Sequence, residues 1–363
     1  MSGIKHSIIF KLCRFVFTLI LIVILLFAGV IGFLSVTEYK PKDRESIRLD
    51  GKSKKSLRIG DSISVLSWNI GYGALGDNAD FFMDGGKSVN TADENRVNDN
   101  ILGITRQIKS INPDVIFFQE IDKNSTRSKH IDEYEDMINS FKDYSFSFAN
   151  NFKVAFLPYP VPPIGKVDSG IATASAFKVT ESERIQLPVP FSWPVRMANL
   201  KRCVLVSRIP IENSEKELVL LNLHLEAYDN GKGKIAQTKM LAELLKIEDD
   251  KGNYVIAGGD FNQIFSTSNR QAFAVKKGMW EPGEIDTNEF GDEWQFLMDE
   301  SVPSCRSLDK AYKGADKDSF QYYLIDGFIA SNNLHINSLK TQNLDFVNSD
   351  HNPVLINITL SED

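Results

Sequence analysis

Several apolar runs in this chain end on a side chain that can bind a cation or move a proton. Asn69 follows SISVLSW, Glu120 follows VIFFQ, and His224 sits in LLNLHL. Asp260 and Asn262 belong to GGDFN, Asp326 to YYLIDGF, and Asp350 with His351 to SDHNP. Runs this rich in Val, Ile, Leu and Phe read as buried strands, so the polar groups fall at strand ends. If those ends converge, carboxylates and amides supply hard oxygen ligands, and two imidazoles supply proton donors or acceptors. That inventory suits metal-assisted cleavage of a phosphate ester. No CxxC and no clustered His or Cys is present, which argues against zinc and for Mg²⁺, with Mn²⁺ or Ca²⁺ as alternatives.

The signals differ in weight. Asn69 or Glu120 alone would serve equally well as a strand-end cap. GGDFN is more specific: its glycines are expected to let the backbone approach a phosphate or metal, while Asp260 and Asn262, two apart, face the same way. A strand-to-helix turn with Asx caps would use the same residue types. SDHNP places a carboxylate beside an imidazole just before an apolar strand, offering a metal ligand and a general base together. Of five histidines, His224 and His351 join this set, and His6, His130 and His335 are expected on the surface. Asp326 is placed to orient His351 and stabilise its protonated form.

The positioning elements follow from periodicity. Ser62 to Ile70 alternates as a strand, and Val97, Ile101, Ile104, Ile108 and Ile111 form one face of a helix closed by Asn112 and Pro113. Strands are expected at 115–118, 217–225, 254–257, 322–330 and 354–360, with a helix near 234–247. Pro353 heads the last strand, where proline is tolerated. The loop from Gly71 to Asp93, with MDGGK at 83–87, is expected to shape the pocket. The architecture this implies is a four-layer α/β sandwich, two packed mixed β-sheets flanked by helices, with the last two strands completing the second sheet.

In front of this domain, Phe15 to Val36 carries no charge, long enough to cross a bilayer at about 20 apolar residues. A cleaved signal peptide would have a shorter apolar core and a small-residue cleavage site, so an uncleaved anchor is the better reading. The chain is therefore divided into a basic tail at 1–14, an anchor at 15–36, a charged juxtamembrane linker at 37–60, and a catalytic domain at 61–363. Lys5, Lys11 and Arg14 on one flank face Lys40, Lys42, Arg44 and Arg48 on the other, so charge does not fix the orientation. The short basic tail reads as an export signal, which places the catalytic domain outside a single-pass cell-membrane anchor. Without residues 1–36, which hold three basic residues and no acid, the net charge falls from −7 to −10. An anionic globule is a poor host for long nucleic acid unless a local groove or a cation compensates. Cys203 and Cys305 could pair or remain buried thiols.

The ordered set SWNI, QE, LNLHL, GGDFN, YLIDGF and SDHNP resembles the endonuclease/exonuclease/phosphatase superfamily. That superfamily includes deoxyribonucleases, apurinic endonucleases, inositol polyphosphate phosphatases and neutral sphingomyelinases. The resemblance runs from about Ser62 to Leu360. It implies that Glu120 is the principal metal ligand, helped by Asn69 and Asp350. It also implies that His351, oriented by Asp326, activates water for in-line attack on phosphorus. Asp260 positions or deprotonates that water in rival versions, Asn262 contacts the phosphorane, and His224 donates to a non-bridging oxygen or the leaving group. By resemblance to the lysine-bearing loop of neutral sphingomyelinases, Lys201 or Arg202 would contact phosphate. Two aromatic and proline-rich stretches, FKVAFLPYPVPPI at 152–164 and LPVPFSWP at 187–194, would form an apolar rim if exposed, or else pack on the sandwich's own edge. The favoured substrate is a phospholipid or sphingolipid head group, or another small phosphodiester at the cell surface. The alternatives are a DNA- or RNA-cleaving enzyme and a catalytically silent binding module.

Overall fold

The computed structural model describes residues 2–229 and 231–361, apart from the side chains of 2–6; Lys5 and His6 therefore lie outside the described side chains. Helix α1 (Ser2–Thr37) is one continuous, outward-facing apolar helix, long enough to span a membrane. Among the described residues, the two large sheets of the body contain fourteen strands. In chain order these are β1 (Arg44–Ser46), β2 (Asp50–Gly51), β3 (Ser62–Asn69), β4 (Val115–Asp122), β5 (Ser145–Leu157), β6 (Gly165–Ser175) and β7 (Glu181–Gln186). They continue as β8 (Cys203–Pro210), β9 (Glu217–His224), β10 (Tyr254–Asp260), β11 (Trp294–Leu297), β12 (Asp326–Ser331), β13 (Leu334–Thr341) and β14 (Val354–Leu360). Helices α2 (Glu94–Ile111), α3 (Glu133–Ser140) and α4 (Lys232–Asp249) complete the layers.

The first sheet runs β13-β14-β3-β4-β6-β5-β2 and the second β1-β7-β8-β9-β10-β12-β11. Each contains one parallel pair, β3 with β4 and β9 with β10, so both are mixed. Alternation along the strands decides which side chains meet. Val65, Phe117, Leu220, Ile256 and Phe328 turn inward and form the core between the sheets. Leu66, Trp68, Ile116 and Phe118 turn outward beneath α2 and α3, and Leu221, Val255 and Ala257 turn outward beneath α4. The expected four-layer sandwich is the observed one.

Two elements differ from expectation. The last strand, β14, joins the first sheet between β13 and β3 rather than closing the second. The stretch 37–60, whose charge suggested a linker, is built into the body. β1 pairs with β7 at the edge of one sheet, β2 pairs with β5 at the edge of the other, and Leu57 is fully buried. A short edge strand needs only backbone pairing, so its side chains can stay charged, and composition then mimics a linker.

The last turn of α4 holds Glu248, a carboxylate at the negative end of a helix dipole. Arg208 on β8 compensates it with two charged hydrogen bonds, at 2.6 and 3.0 Å, and Lys251 and Asn253 add one each at 2.8 Å. Burial disfavours the charge of Glu248, but the Arg208 guanidinium outweighs burial and holds its carboxyl down at about 2. A depressed folded-state value means stability fully present above the ordinary 4.5 and lost as pH falls toward 2. Glu248→Gln in the detergent-solubilised full chain should lower unfolding stability by about 2 kcal/mol at pH 7. The gap to wild type should narrow as pH drops below 4.5; a gap independent of pH would contradict this account.

Candidate active site

The site forms at one end of the seam between the sheets, where inward-facing positions run out of hydrophobic partners. In the second sheet, pairing alone aligns three groups: Asp260 is in register with His224 on one side and with Asp326 on the other. One row across three adjacent strands thus carries His224, Asp260 and Asp326. Opposite this row, Asn69 continues the inward face of β3 after Val65 and Ser67. Its amide donates to Asp260 Oδ2 at 3.0 Å and Glu120 Oε1 at 3.2 Å, while its carbonyl accepts from Gly71 N–H at 3.0 Å. In this arrangement Asn69 ties two carboxylates together across the sheets.

Glu120 reaches the site by a different route. Val115, Phe117 and Gln119 face inward along β4, so strict alternation would turn Glu120 out toward the helices. A register shift between Phe118 and Ile121 interrupts the ladder with β6, and Glu120 adopts a left-handed backbone, φ 52°. The bulge re-aims its carboxylate into the seam. Asn222, inward-facing on β9 of the other sheet, sends its amide to Phe118 O at 3.2 Å and Ala172 O at 2.8 Å, and accepts from Gln119 Nε2 at 2.8 Å. It therefore satisfies backbone groups at the bulge. Behind Glu120, Arg127 lies 3.6 Å above the Tyr72 ring and is held by Asp122 through two hydrogen bonds.

His351 lies in the turn before β14. Its Nδ1 is 2.8 Å from Asp326 Oδ2, and its Nε2 is 3.8 Å from Asp260 Oδ2. Trp68 Nε1 donates to the His351 carbonyl at 3.0 Å, and Ser349 Oγ accepts from the His351 N–H at 3.2 Å while donating to Asn69 O at 2.8 Å. Ser304 Oγ accepts from the backbone N–H groups of Ile325 and Asp326, fixing the start of β12. His224 Nε2 is 3.3 Å from Asp260 Oδ2. Asn262, with φ 51°, donates its backbone N–H to Asp260 Oδ1 and its side-chain amide to Leu225 O.

The environment separates the two imidazoles. Burial opposes a charge on His351, but Asp326 outweighs it and raises its pKa well above the ordinary value. Burial, reinforced by Arg202, pushes His224 far down, so it stays neutral. Asp260 between them is raised to about 7 by burial and by Asp326, and Asp350 to about 6 by burial. Among the described residues, the ion pairs of Glu120, Asp260, Asp326 and Asp350 are to His224 and His351 alone. A surplus of buried carboxylate charge is what a bound cation neutralises, so the donor set fits one. Ligand-type atoms of Asp260, Asp326 and His351 lie within 4.8 Å of one another, as do those of Cys305, Asp350 and His351. Burial raises the Cys305 thiol to about 12.

Not every expected residue comes here. Lys201 is buried at the foot of α1, near Glu38, with its ammonium donating to Arg196 O. Arg202 sits behind the site, 4.0 Å from Glu226. The paired glycines of GGDFN serve packing: a Cβ on Gly258 would strike the Phe328 ring, and Gly259, with φ 146°, abuts the Leu223 carbonyl of the neighbouring strand. Cys203 and Cys305 are both free, and His130 and His335 are exposed. Ser304 and Tyr72 carry no chemistry of their own, and nothing in their sequence context marks them. Asn222 and Ser349, by contrast, lie inside LNLHL and SDHNP.

Fold and site together describe an α/β sandwich with a carboxylate- and imidazole-lined site at one end of its seam. Residues 66–336 match the model of the Endonuclease/Exonuclease/phosphatase family, and the chain belongs to that family. No curated protein sequence matches it. Among solved structures it is similar to an endonuclease/exonuclease/phosphatase from Beutenbergia cavernae DSM 12333, at TM-score 0.57 and 16% identity over 83% of this chain and 72% of that one. The human Nocturnin catalytic domain with bound sulfate gives 0.52 and 17% identity over 87% and 97%. D. rerio TDP2 complexed with single-strand DNA product gives 0.52 and 15% over 82% and 99%. These likenesses are of fold.

Asn222→Ala strips partners from two buried carbonyls and the Gln119 amide. It should destabilise the chain by about 3 kcal/mol, measured by chemical unfolding in detergent. Loss below about 0.5 kcal/mol would show that the bulge does not need this cross-sheet tie.

Proposed function

We propose that this chain is a membrane-anchored, divalent-metal-dependent phosphodiesterase whose preferred substrate is a lipid head group or another small phosphodiester at the cell surface. One observation carries the reading: the in-register row His224–Asp260–Asp326, completed by His351 and faced by the bulged Glu120. Glu120 and Asp350 would hold the cation, with Asn69 fixing Glu120. When bound, a divalent cation such as Mg²⁺ would neutralise phosphoryl charge and orient the ester. Mn²⁺ and Ca²⁺ are compatible with the same oxygen donors.

The residues support an in-line displacement. Asp260, poised between charged and neutral, accepts the proton of an attacking water as its oxygen bonds to phosphorus. The phosphorus–oxygen bond to the leaving group breaks, and that oxygen takes a proton. His351, held protonated by Asp326, is the better donor to the phosphoryl or leaving oxygen. This charge order favours Asp260 over His351 as the group that deprotonates water. Neutral His224 and the Asn262 amide add hydrogen bonds to charge that grows in the transition state.

The lipid reading draws on the surroundings of the site. Tyr228, just after β9, and Tyr323, just before β12, flank Trp280, with Tyr228 6.4 Å and Tyr323 5.3 Å from the Trp280 ring. Tyr228 also donates to Asp84 at 2.8 Å. A nucleic-acid substrate is the second reading, because aromatic side chains also stack bases and one structural relative is described with a DNA product. The net charge of −10 outside residues 1–36 weighs against a long polyanion.

The full chain in phosphatidylcholine nanodiscs with Mg²⁺ should hydrolyse bis-(p-nitrophenyl) phosphate and a phospho- or sphingolipid faster than single- or double-stranded DNA. Rapid DNA cleavage with lipids untouched would reverse the ranking. Chelation with EDTA should abolish turnover and added Mg²⁺ restore it. Glu120→Ala and His351→Ala should each lower turnover by about 1,000-fold without changing the unfolding temperature by more than a few degrees. Near-normal turnover in either variant would sink the assignment.

A further inference from the structure

The end of α1 is bonded to the catalytic domain by its own side chains. Ile31 and Leu34 pack with Val154, Leu157 and Met197, and Ser35 Oγ contacts Met197 Sδ at 3.0 Å. Immediately after the helix, Glu38 is nearly sealed, with its side chain 4% exposed. Arg196 approaches it at 3.2 Å, and Lys201 and Lys40 at 3.5 Å each. The hairpin of β5 and β6 and the loop 191–198 are thereby clamped to the helix from the outside.

This contact has a depth. If the apolar stretch ending at Val36 fills the hydrocarbon layer, Ile31 lies about 7 Å inside its edge, at 1.5 Å rise per residue. Whatever packs on Ile31 shares that depth. Next to the packed residues, the same two segments expose large apolar side chains: Phe156 44%, Tyr159 70%, Val161 93%, Trp193 58% and Val195 57%. In water, such side chains beside one another are costly; at a bilayer interface Trp and Tyr are favoured. Tyr159 also ties the hairpin tip toward the site, its ring 6.5 Å from Phe82, and Phe82 is two residues from Asp84, the partner of Tyr228. The apolar tip therefore lies between the anchor and the mouth of the site.

We propose that the hairpin tip at 156–161 and the loop 191–198 are embedded in the bilayer interface beside α1, so that the anchor is a rigid strut and the mouth of the site rests against the lipid surface. This rests on the reading of 15–36 as a membrane anchor. Its occupant is the lipid bilayer, because the exposed patch is continuous with a helix of membrane-spanning length and apolarity. The consequence is a division of substrates by location: phosphodiesters in the same bilayer are presented to the site, and the clamp at Glu38 sets their angle of approach.

The test uses the full chain reconstituted in phosphatidylcholine vesicles. Flotation after alkaline carbonate washing reports the anchor alone. Lipid brominated at shallow acyl positions then reports the loops: it should quench the tryptophan fluorescence of a Trp280→Phe parent, and adding Trp193→Phe should remove most of that quenching, because the two tryptophans that remain, Trp68 and Trp294, are buried in the body. A chain that floats while the parent and its Trp193→Phe variant are quenched alike overturns the docking and leaves the anchor standing. A chain that does not float overturns both. In a second arm, Glu38→Ala should lower hydrolysis of lipid in the host vesicle about tenfold and leave soluble bis-(p-nitrophenyl) phosphate turnover unchanged. Equal effects on both substrates, or on neither, would overturn the strut, whereas loss of soluble turnover in wild type would fault the phosphodiesterase reading instead.

Discussion

The site depends on one irregularity in a regular sheet. A strand buried on both faces presents alternate residues to alternate sides, and by that rule Glu120 belongs with the helices. The bulge at Gln119 and Glu120 breaks the rule at the cost of a left-handed residue and an interrupted ladder. Backbone groups beside it would be orphaned in a dry seam, a penalty of about 1–3 kcal/mol each. Asn222 answers them from the opposite sheet, and its own carbonyl is answered by Gln119. The two sheets are locked in relative position at the point where their polar ends must meet.

Electrostatics in the seam follow from that closeness. The row His224–Asp260–Asp326 is a product of strand register, so the carboxylates of Asp260 and Asp326 cannot avoid one another. Burial raises the cost of charging both. Asp326 resolves part of it by pairing with His351, and Asn69 and the Asn262 N–H stabilise Asp260. The remaining negative charge, with Glu120 and Asp350 close by, has no lysine or arginine ion pair among the described residues. A seam built this way holds donors that fit a cation.

How much of this is legible in the sequence depends on whether a residue's role is local. Asn69, His224 and Asp260 end their strands, Asp326 heads one and His351 stands in the turn before another, so each is marked locally as a polar group beside an apolar run. The helix cap at Asn112 and the strand at Val354–Leu360 are equally local. The partner of that last strand is not, because hairpin and crossover connections look alike in one dimension. The role of Asn222 within LNLHL is hidden for the same reason: it lies in two carbonyls 50 and 104 residues away along the chain. Residues 37–60 mislead for another reason, since edge strands carry charge by design against aggregation. Lys201 and Arg202 stand in an apt place along the chain, yet adjacent residues of an extended segment point to opposite sides. Lys201 turns to Glu38 and Arg202 toward His224.

The same segment that composition marks as a linker decides how the N-terminal apolar helix relates to the site. Only six residues separate Thr37 from the first paired residue, Arg44, and within eight residues the chain has laid one strand on the edge of each sheet. A true linker would let the domain swing through a cone set by its length. Here Glu38 is held by Arg196, Lys40 and Lys201, and β1 and β2 are held by backbone pairs, so rotation about the helix end would break both sets at once. Under the proposed anchoring, a domain fixed in this way samples a thin slab of space beside its own bilayer. For a soluble polymer that is a restriction, while for a head group already in the slab it raises effective concentration without any new contact. On that proposal the helix and its clamp would bear on substrate choice as directly as any residue in the seam.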